Sequence, residues 1–382
     1  MALDWIPRAP KETILDHWFG DPKYIGTLDK PPSIVFEKRP VKKPETGEEI
    51  EGLYVGWVIV NNPAQGNSYN LGMLKGLASA LNIAADDKSV VSIVLTGVGD
   101  RFFCTGGNVP EYAEYYSARG SDAYRMLMLY WSIQDSIFAA PKLTIRRING
   151  MCLEGGDELS LPCDLTVASD LATFGVIGPL HGSAPLAGIL QLRPLMWSFE
   201  DAFYNATSCD QWSAYKLYRK NYIYTVVPVL KQDGKFIKNP GVTTDRWLDE
   251  NGEIVYGEEK TGEEREKARE LIKTLPRDLS LLDKAVDEIV WRYVNLFPGS
   301  LSFSFAVLRD WKRSYYHSVR NSMSHWWGAP RFGEYDMGMT SFHTRKMTGK
   351  DTIDFIKYRQ LLAKGHPIDE ELFKAVMPKP KE

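Results

Sequence analysis

The chain has 382 residues, 44% hydrophobic and 25% charged, with a formal net charge of −3. That length can bury one or two sizeable cores, and the balance is that of an ordinary folded domain. A mildly negative chain offers no general field for nucleic acid, and no apolar run reaches the ~18 residues that would span a bilayer. Aromatic residues are abundant, with 11 Trp, 19 Tyr and 16 Phe. They suit a pocket for a partly apolar ligand, or core packing. Four cysteines, Cys104, Cys152, Cys163 and Cys209, show no CxxC spacing and suggest neither a metal site nor a disulfide framework. The opening MALDWIPRAPKE lacks the layout of a secretory signal, so a cytoplasmic location is expected.

Residues 1 to about 50 are rich in proline and charge and read as an irregular arm, with a short helix near Ile14 to Phe19. Within it, EKRPVKKPE (Glu37 to Glu45) reads as a solvated loop or a landing point for a phosphate. GLYVGWVIVNNP is a strand, followed by a polar loop and by a helix carried on Leu71, Leu74, Leu77 and Leu81. SVVSIVLTGVG is a β-branched run of the kind buried on both faces of a sheet. RFFCTGGN is a turn, and YRMLMLYWSIQDSIFAAP is an apolar helix stopped before Pro141. KLTIRRING and LTVASDLATFGV are further strands. This alternation predicts an α/β core over residues 51–200 with a largely parallel sheet. Residues 201–382 read as a helical C-terminal region. Asp233–Gly234 and Asn251–Gly252 mark hairpins of a β insert at about 225–258.

Two glycine clusters, FFCTGGN and CLEGGDEL, each follow a strand and precede a helical pattern. Glycine at such a junction admits a ligand close to the backbone, and a helix start aims free N–H groups outward. Two such amides converging would form an oxyanion hole; a tight turn is the plainer alternative for each. Neither cluster is a phosphate loop or a dinucleotide fingerprint.

With these motifs the chain resembles the crotonase (enoyl-CoA hydratase/isomerase) superfamily, from about Val55 to Leu190 and again at TGKDTIDFIKYR. The family's FCAGAD turn is similar to Phe103–Asn108. Its NG.ALGGG.ELAL.CD is similar to Asn149–Asp164, and its FG.PE…G..P..G to Phe174–Gly188. The resemblance implies a spiral of ββα units with a helical C-terminal trimerisation region. It also implies an acyl-CoA substrate, with no cofactor beyond the coenzyme A it carries, and a homotrimer or dimer of trimers. Neither a metal, nucleic acid nor a membrane is expected. Amides of Gly107 and Gly155 would hold the thioester oxygen.

The hydratases of this family use two glutamates. The first corresponds to Glu158, and the second falls on Gly178. The loop FGVIGPLHGS instead resembles 1,4-dihydroxynaphthoyl-CoA synthases and their ring-opening relatives, whose catalytic serine would be Ser183. An aspartate of that branch is replaced by Pro185, and a tyrosine by His343. The combination implies a ring-opening hydrolase: water adds to a conjugated double bond, then a β-oxo thioester is cleaved. An enoyl-CoA hydratase/isomerase or a synthase-like enzyme is the alternative. A scaffold that binds CoA or RNA without turnover is a third.

Glu158 is the expected general acid–base, or else a helix-start carboxylate. His181 could activate a water and Ser183 hold a ketone oxygen, against structural and capping roles. His343 could reach a neighbouring subunit's pocket or lie on the surface. Gln65 and Ser68 should meet the CoA chain, with Lys357 or Arg359 meeting its phosphates. Tyr112, Tyr115 and Tyr116 could line the acyl pocket or pack the core. Asp157 and Asp164 read mainly as structural.

Overall fold

The computed structural model describes residues 20–116, 119–185, 188–318 and 333–381. The expected helix near Ile14 to Phe19 lies outside them. Among these residues two sheets carry the fold. The larger contains β1 (Ile25–Gly26), β2 (Ser33–Lys42), β3 (Glu49–Asn61), β4 (Val90–Gly97), β6 (Leu143–Ile148), β8 (Leu165–Ser169) and β11 (Thr225–Val227), adjacent in that order. From β3 to β11 all neighbours are parallel. The smaller sheet runs β5 (Phe102–Cys104), β7 (Met151–Leu153), β9 (Thr173–Gly175) and β10 (Trp212–Ser213), in spatial order β10-β9-β7-β5. Each of the pairs β4/β5, β6/β7 and β8/β9 is consecutive in the chain but gives one strand to each sheet. The helices Leu71–Asp86, Gly120–Ala139 and Gly155–Ser160 make the returns between successive turns.

The β-branched run at β4 is buried along nearly its whole length, because apolar side chains cover both faces of the large sheet. Packed on one face are Leu74, Leu77 and Leu81 of the first helix, with Met126 and Ile133 of the second. Against the other lies the helix Ser280–Val294, through Leu282, Val286 and Val290. The first helix starts where Asn70 accepts from Met73 N–H, while the Glu111 carboxylate accepts from Leu71 N–H at 3.0 Å. Two side chains thus satisfy amides that the helix leaves open.

Two expectations change. The supposed irregular arm contributes β2, a ten-residue strand paired antiparallel with β3. Its basic run is accordingly strand rather than loop. Lys38 pairs with Asp87, Arg39 with Glu37, and Lys42 with Glu49, so its charges are answered within the chain. The insert also begins later than 225, since β11 completes the edge of the large sheet beside β8. Asp233 and Gly234, at φ 50° and 75°, do turn a hairpin between β12 (Leu230–Gln232) and β13 (Lys235–Ile237). Around Asn251–Gly252 the chain also doubles back, through isolated antiparallel bridges Leu248–Ile254 and Val242–Glu259 rather than named strands. Among the described residues no helix is long and apolar enough to cross a membrane.

Candidate active site

A cavity of about 810 Å3 is lined by the ends of β5 and β7, the loop after β9, and the helix Glu334–His343. Gly107 and Gly155 both face it. Their turns lie against each other: a methyl group on Gly106 would stand 3.3 Å from the Gly155 nitrogen. Among the described residues neither the Gly107 nor the Gly155 amide donates to another protein group. Gly155 opens the helix Gly155–Ser160, so its N–H has no partner within that helix. A side chain at either point would force a tyrosine to move. A Cβ would sit 2.2 Å from the Tyr112 ring at Gly107, and 1.9 Å from the Tyr69 hydroxyl at Gly155. Tyr69 thus spans the two turns, bridging to Gly107 through its backbone and covering Gly155 with its side chain.

Glu158 lies one helical turn after Glu154, buried, and faces the same cavity. Gln134 Nε2 donates to its carbonyl at 2.8 Å. The Tyr130 hydroxyl donates to the Gly155 carbonyl at 2.9 Å and lies 3.5 Å from Glu158 Oε2. Tyr69 and Tyr130 are held well above the usual phenol range by burial, with neighbouring tyrosines and Glu158 adding to it. They stay neutral beside Glu158. Tyr69 and Tyr130 carried no sequence signal, because neither lies in a glycine motif.

The residue before Glu158 is committed to a buried ion cluster. Asp157 is wholly buried and accepts from Arg146 Nη1 at 2.5 Å, Arg193 Nη2 at 2.6 Å and the Tyr222 hydroxyl at 2.8 Å. Burial opposes its charge, yet the two arginines hold its pKa below the ordinary carboxylate value. Asp164 accepts from Arg309 Nε at 2.8 Å and from Thr144 N–H at 2.8 Å, fastening the helix Pro298–Ser318 to β6.

Glu154 has φ 48° and ψ −131°, a backbone conformation suited to glycine. A non-glycine residue there costs on the order of 1–3 kcal/mol. Its Oε1 accepts from Gly178 N–H, and the Ile177 amide also supports it. Burial raises its pKa to about 7 against the pull of those two amides.

His181 is buried at the cavity wall, its ring 4.7 Å from Phe342. Nδ1 has no hydrogen-bond partner among the described residues, and burial lowers the pKa, so the imidazole is neutral at pH 7. Ser183 also lines the cavity, and its amide donates to the Gly178 carbonyl. His343 lines the cavity of its own chain, where Nε2 lies 2.8 Å from Glu114 Oε1. It is therefore part of the cavity wall and paired with an acid, where the plainer expectation was a surface histidine. Gln65 and Ser68 stand at the cavity, with Gln65 Oε1 accepting from the Asn108 side chain. Lys357 and Arg359 do not line it: Lys357 Nζ donates to the Ala375 carbonyl, and Arg359 is exposed. Arg345 and Lys346 are the cations at the cavity instead, carried there by the turn after the helix Glu334–His343. Tyr112 faces the cavity, while Tyr115 and Tyr116 are core residues.

The family model described as enoyl-CoA hydratase/isomerase matches residues 53–238. The chain is 45% identical to the 6-oxocyclohex-1-ene-1-carbonyl-CoA hydrolase of Syntrophus aciditrophicus, over 100% of this chain and 99% of that protein. It belongs to the crotonase superfamily. Hydrolases of the same description from Thauera aromatica and Geobacter metallireducens are 42% and 41% identical, covering 91% and 98% of this chain and 92% and 97% of their own lengths. Among solved structures, an enoyl-CoA hydratase from Bacillus halodurans superposes with a TM-score of 0.56 at 14% identity, covering 80% of this chain and 98% of its own. One from Mycobacterium avium subsp. paratuberculosis gives 0.53 at 16%, covering 81% and 96%. These structures share the crotonase fold, with its parallel sheets and C-terminal helical region. In this chain the two glycine turns follow neighbouring strands of the small sheet, β5 and β7, which is why two sequence-distant glycines share a cavity.

Proposed function

We propose that this chain is a ring-opening hydrolase of 6-oxocyclohex-1-ene-1-carbonyl-CoA, yielding 3-hydroxypimelyl-CoA within anaerobic benzoyl-CoA degradation in the cytoplasm. The observation that carries the reading is likeness along the whole chain to hydrolases of that description, at 41–45% identity. The cavity supplies what the reaction needs. Water adds to the ring double bond, and its electron pair moves onto the thioester oxygen. The amides of Gly107 and Gly155 favour that enolate over the neutral ester, which lowers the barrier. A second water attacks the ring ketone. The carbon–carbon bond to the α carbon then breaks, and its electron pair returns to the same enolate before protonation.

Glu158 is the proposed acid–base group for the first addition, with neutral Tyr130 beside it. His181 offers its unpartnered nitrogen to the second water, and Ser183 its hydroxyl to the ketone oxygen. His343, paired with Glu114, would close the acyl end. Gln65 and Ser68 would meet the CoA chain, and Arg345 and Lys346 suit its phosphates. A homotrimer or dimer of trimers is proposed as well, supported by exposed Phe303, Val307 and Leu308 on the helix Pro298–Ser318. Sedimentation as a monomer would count against it.

The reading is tested by incubating the purified protein with the cyclic thioester and weighing the product. Gain of two waters with a new carboxylate is expected. Gain of one water with the ring intact would instead assign an enoyl-CoA hydratase.

A further inference from the structure

We propose that Glu154 is the second acid–base carboxylate of this cavity, reaching from the oxyanion turn to the place beside Gly178. The inference rests on the ring-opening reading and extends it. Two water additions and two protonations of one α carbon can be shared by two proton-carrying groups that each return to their starting state. Gly178 carries no side chain, and a Cβ there would lie 3.4 Å from Glu154 Oε1. The carboxylate therefore stands in contact with the place where a side chain at 178 would begin. It faces the same cavity as Glu158 and is held by main-chain amides of residues 177 and 178 rather than by a counter-ion.

The backbone adds an independent reason. A residue with a side chain sits at φ 48° and ψ −131°, where glycine would be unstrained. Strain kept together with a part-buried acid at a cavity marks a functional demand on that side chain. The charged groups that bear on it are Asp157 and Arg193, already joined as an ion pair, with the Cys209 thiol on the loop beyond. None of them is a direct counter-ion, so Glu154 can hold a proton near neutrality, as an acid must.

The cycle closes. Glu158 takes a proton from the first water as its oxygen bonds to the β carbon. Protonated Glu154 delivers its proton to the α carbon as the enolate collapses. The Glu154 carboxylate then takes a proton from the second water, oriented by His181, as its oxygen bonds to the ring ketone carbon. The carbon–carbon bond breaks, the pair returns to the thioester enolate, and the proton on Glu158 passes to the α carbon. Both carboxyl groups end as they began, and two waters are consumed.

Two variants test this, Glu154→Gln and Glu154→Gly, alongside the wild type. Glu154→Gln keeps an oxygen for the Gly178 amide. It is expected to lose about 10²–10⁴-fold in kcat, with KM within a few-fold and the limb of the pH–rate profile near neutrality gone. Glu154→Gly is expected to be equally slow yet to melt a few degrees higher, because the strained conformation and the buried acid are both removed. A purely structural role would leave the pH profile unmoved. A Glu154→Gln enzyme with wild-type rate and profile overturns the proposal. A wild type that does not open the ring sinks the ring-opening reading alone. The same variants are then compared in hydration of a straight-chain enoyl-CoA, where an unchanged rate, or a wild type inactive there too, overturns the role of Glu154.

Discussion

Replacing Asp157 by Asn removes one charge from a wholly buried cluster and leaves its shape. Arg146 and Arg193 are 3% and 0% exposed at their side chains, so neither can turn to water for compensation. The amide nitrogen of the introduced asparagine would also face a guanidinium or the Tyr222 hydroxyl in place of an acceptor oxygen. Breaking a buried pair this way costs about 3–5 kcal/mol. A chain of this length has an unfolding entropy of ~0.8 kcal/mol/K at its midpoint, so the melting temperature should fall by roughly 4–6 °C. Scanning calorimetry at pH 7 reads this directly. Added salt should not restore it, since buried charges are poorly screened. Asp157 lies between Gly155 and Glu158 on one short helix, so kcat should fall at least ~10-fold from misplacement alone. A melting point within about 1 °C of the wild type would refute the view that this ion cluster fastens the helix that carries Glu158.

Gly155→Ala should cut kcat by about 10²–10³, because the new methyl meets the Tyr69 hydroxyl and would displace one of the two amides proposed to hold the thioester oxygen. CoA affinity, measured by calorimetry, should change little, and activity within ten-fold of wild type would refute the oxyanion assignment. The Glu111 carboxyl is pushed up to about 7 by burial, against the Leu71 amide. Its folded pKa exceeds the unfolded one, so its contribution to stability is complete below about pH 4.5 and is lost as pH rises through about 7. Glu111→Gln should therefore gain stability relative to the wild type between pH 5 and 8 in thermal melts; a constant difference across that range would refute this.

What could be read before any coordinates were local. The buried strand at Val90–Gly97, the helix on Leu71, Leu74, Leu77 and Leu81, and the Asp233–Gly234 turn each follow from side-chain period or backbone freedom over a few residues. The glycine turns at Gly107 and Gly155, with Glu158 one turn further on, were legible for the same reason. Helix and turn geometry converts spacing directly into position. The arm was misread because β2 owes its extended form to pairing with β3, and proline and lysine on an edge-side strand hide it from a periodicity argument.

Contacts between distant segments leave no such mark. Tyr69 and Tyr130 close on Glu158 from two helical neighbourhoods, Arg193 reaches Asp157 across 36 residues, and the helix Glu334–His343 brings His343, Arg345 and Lys346 to the cavity. A buried charge specifies that some partner must exist, and spacing says nothing about which one. The direction of Glu154 was settled the same way. Its sequence neighbours say only that a carboxylate stands beside two glycines. The packing of β7 against β9 is what turns that carboxylate toward the Gly178 amide and into the cavity.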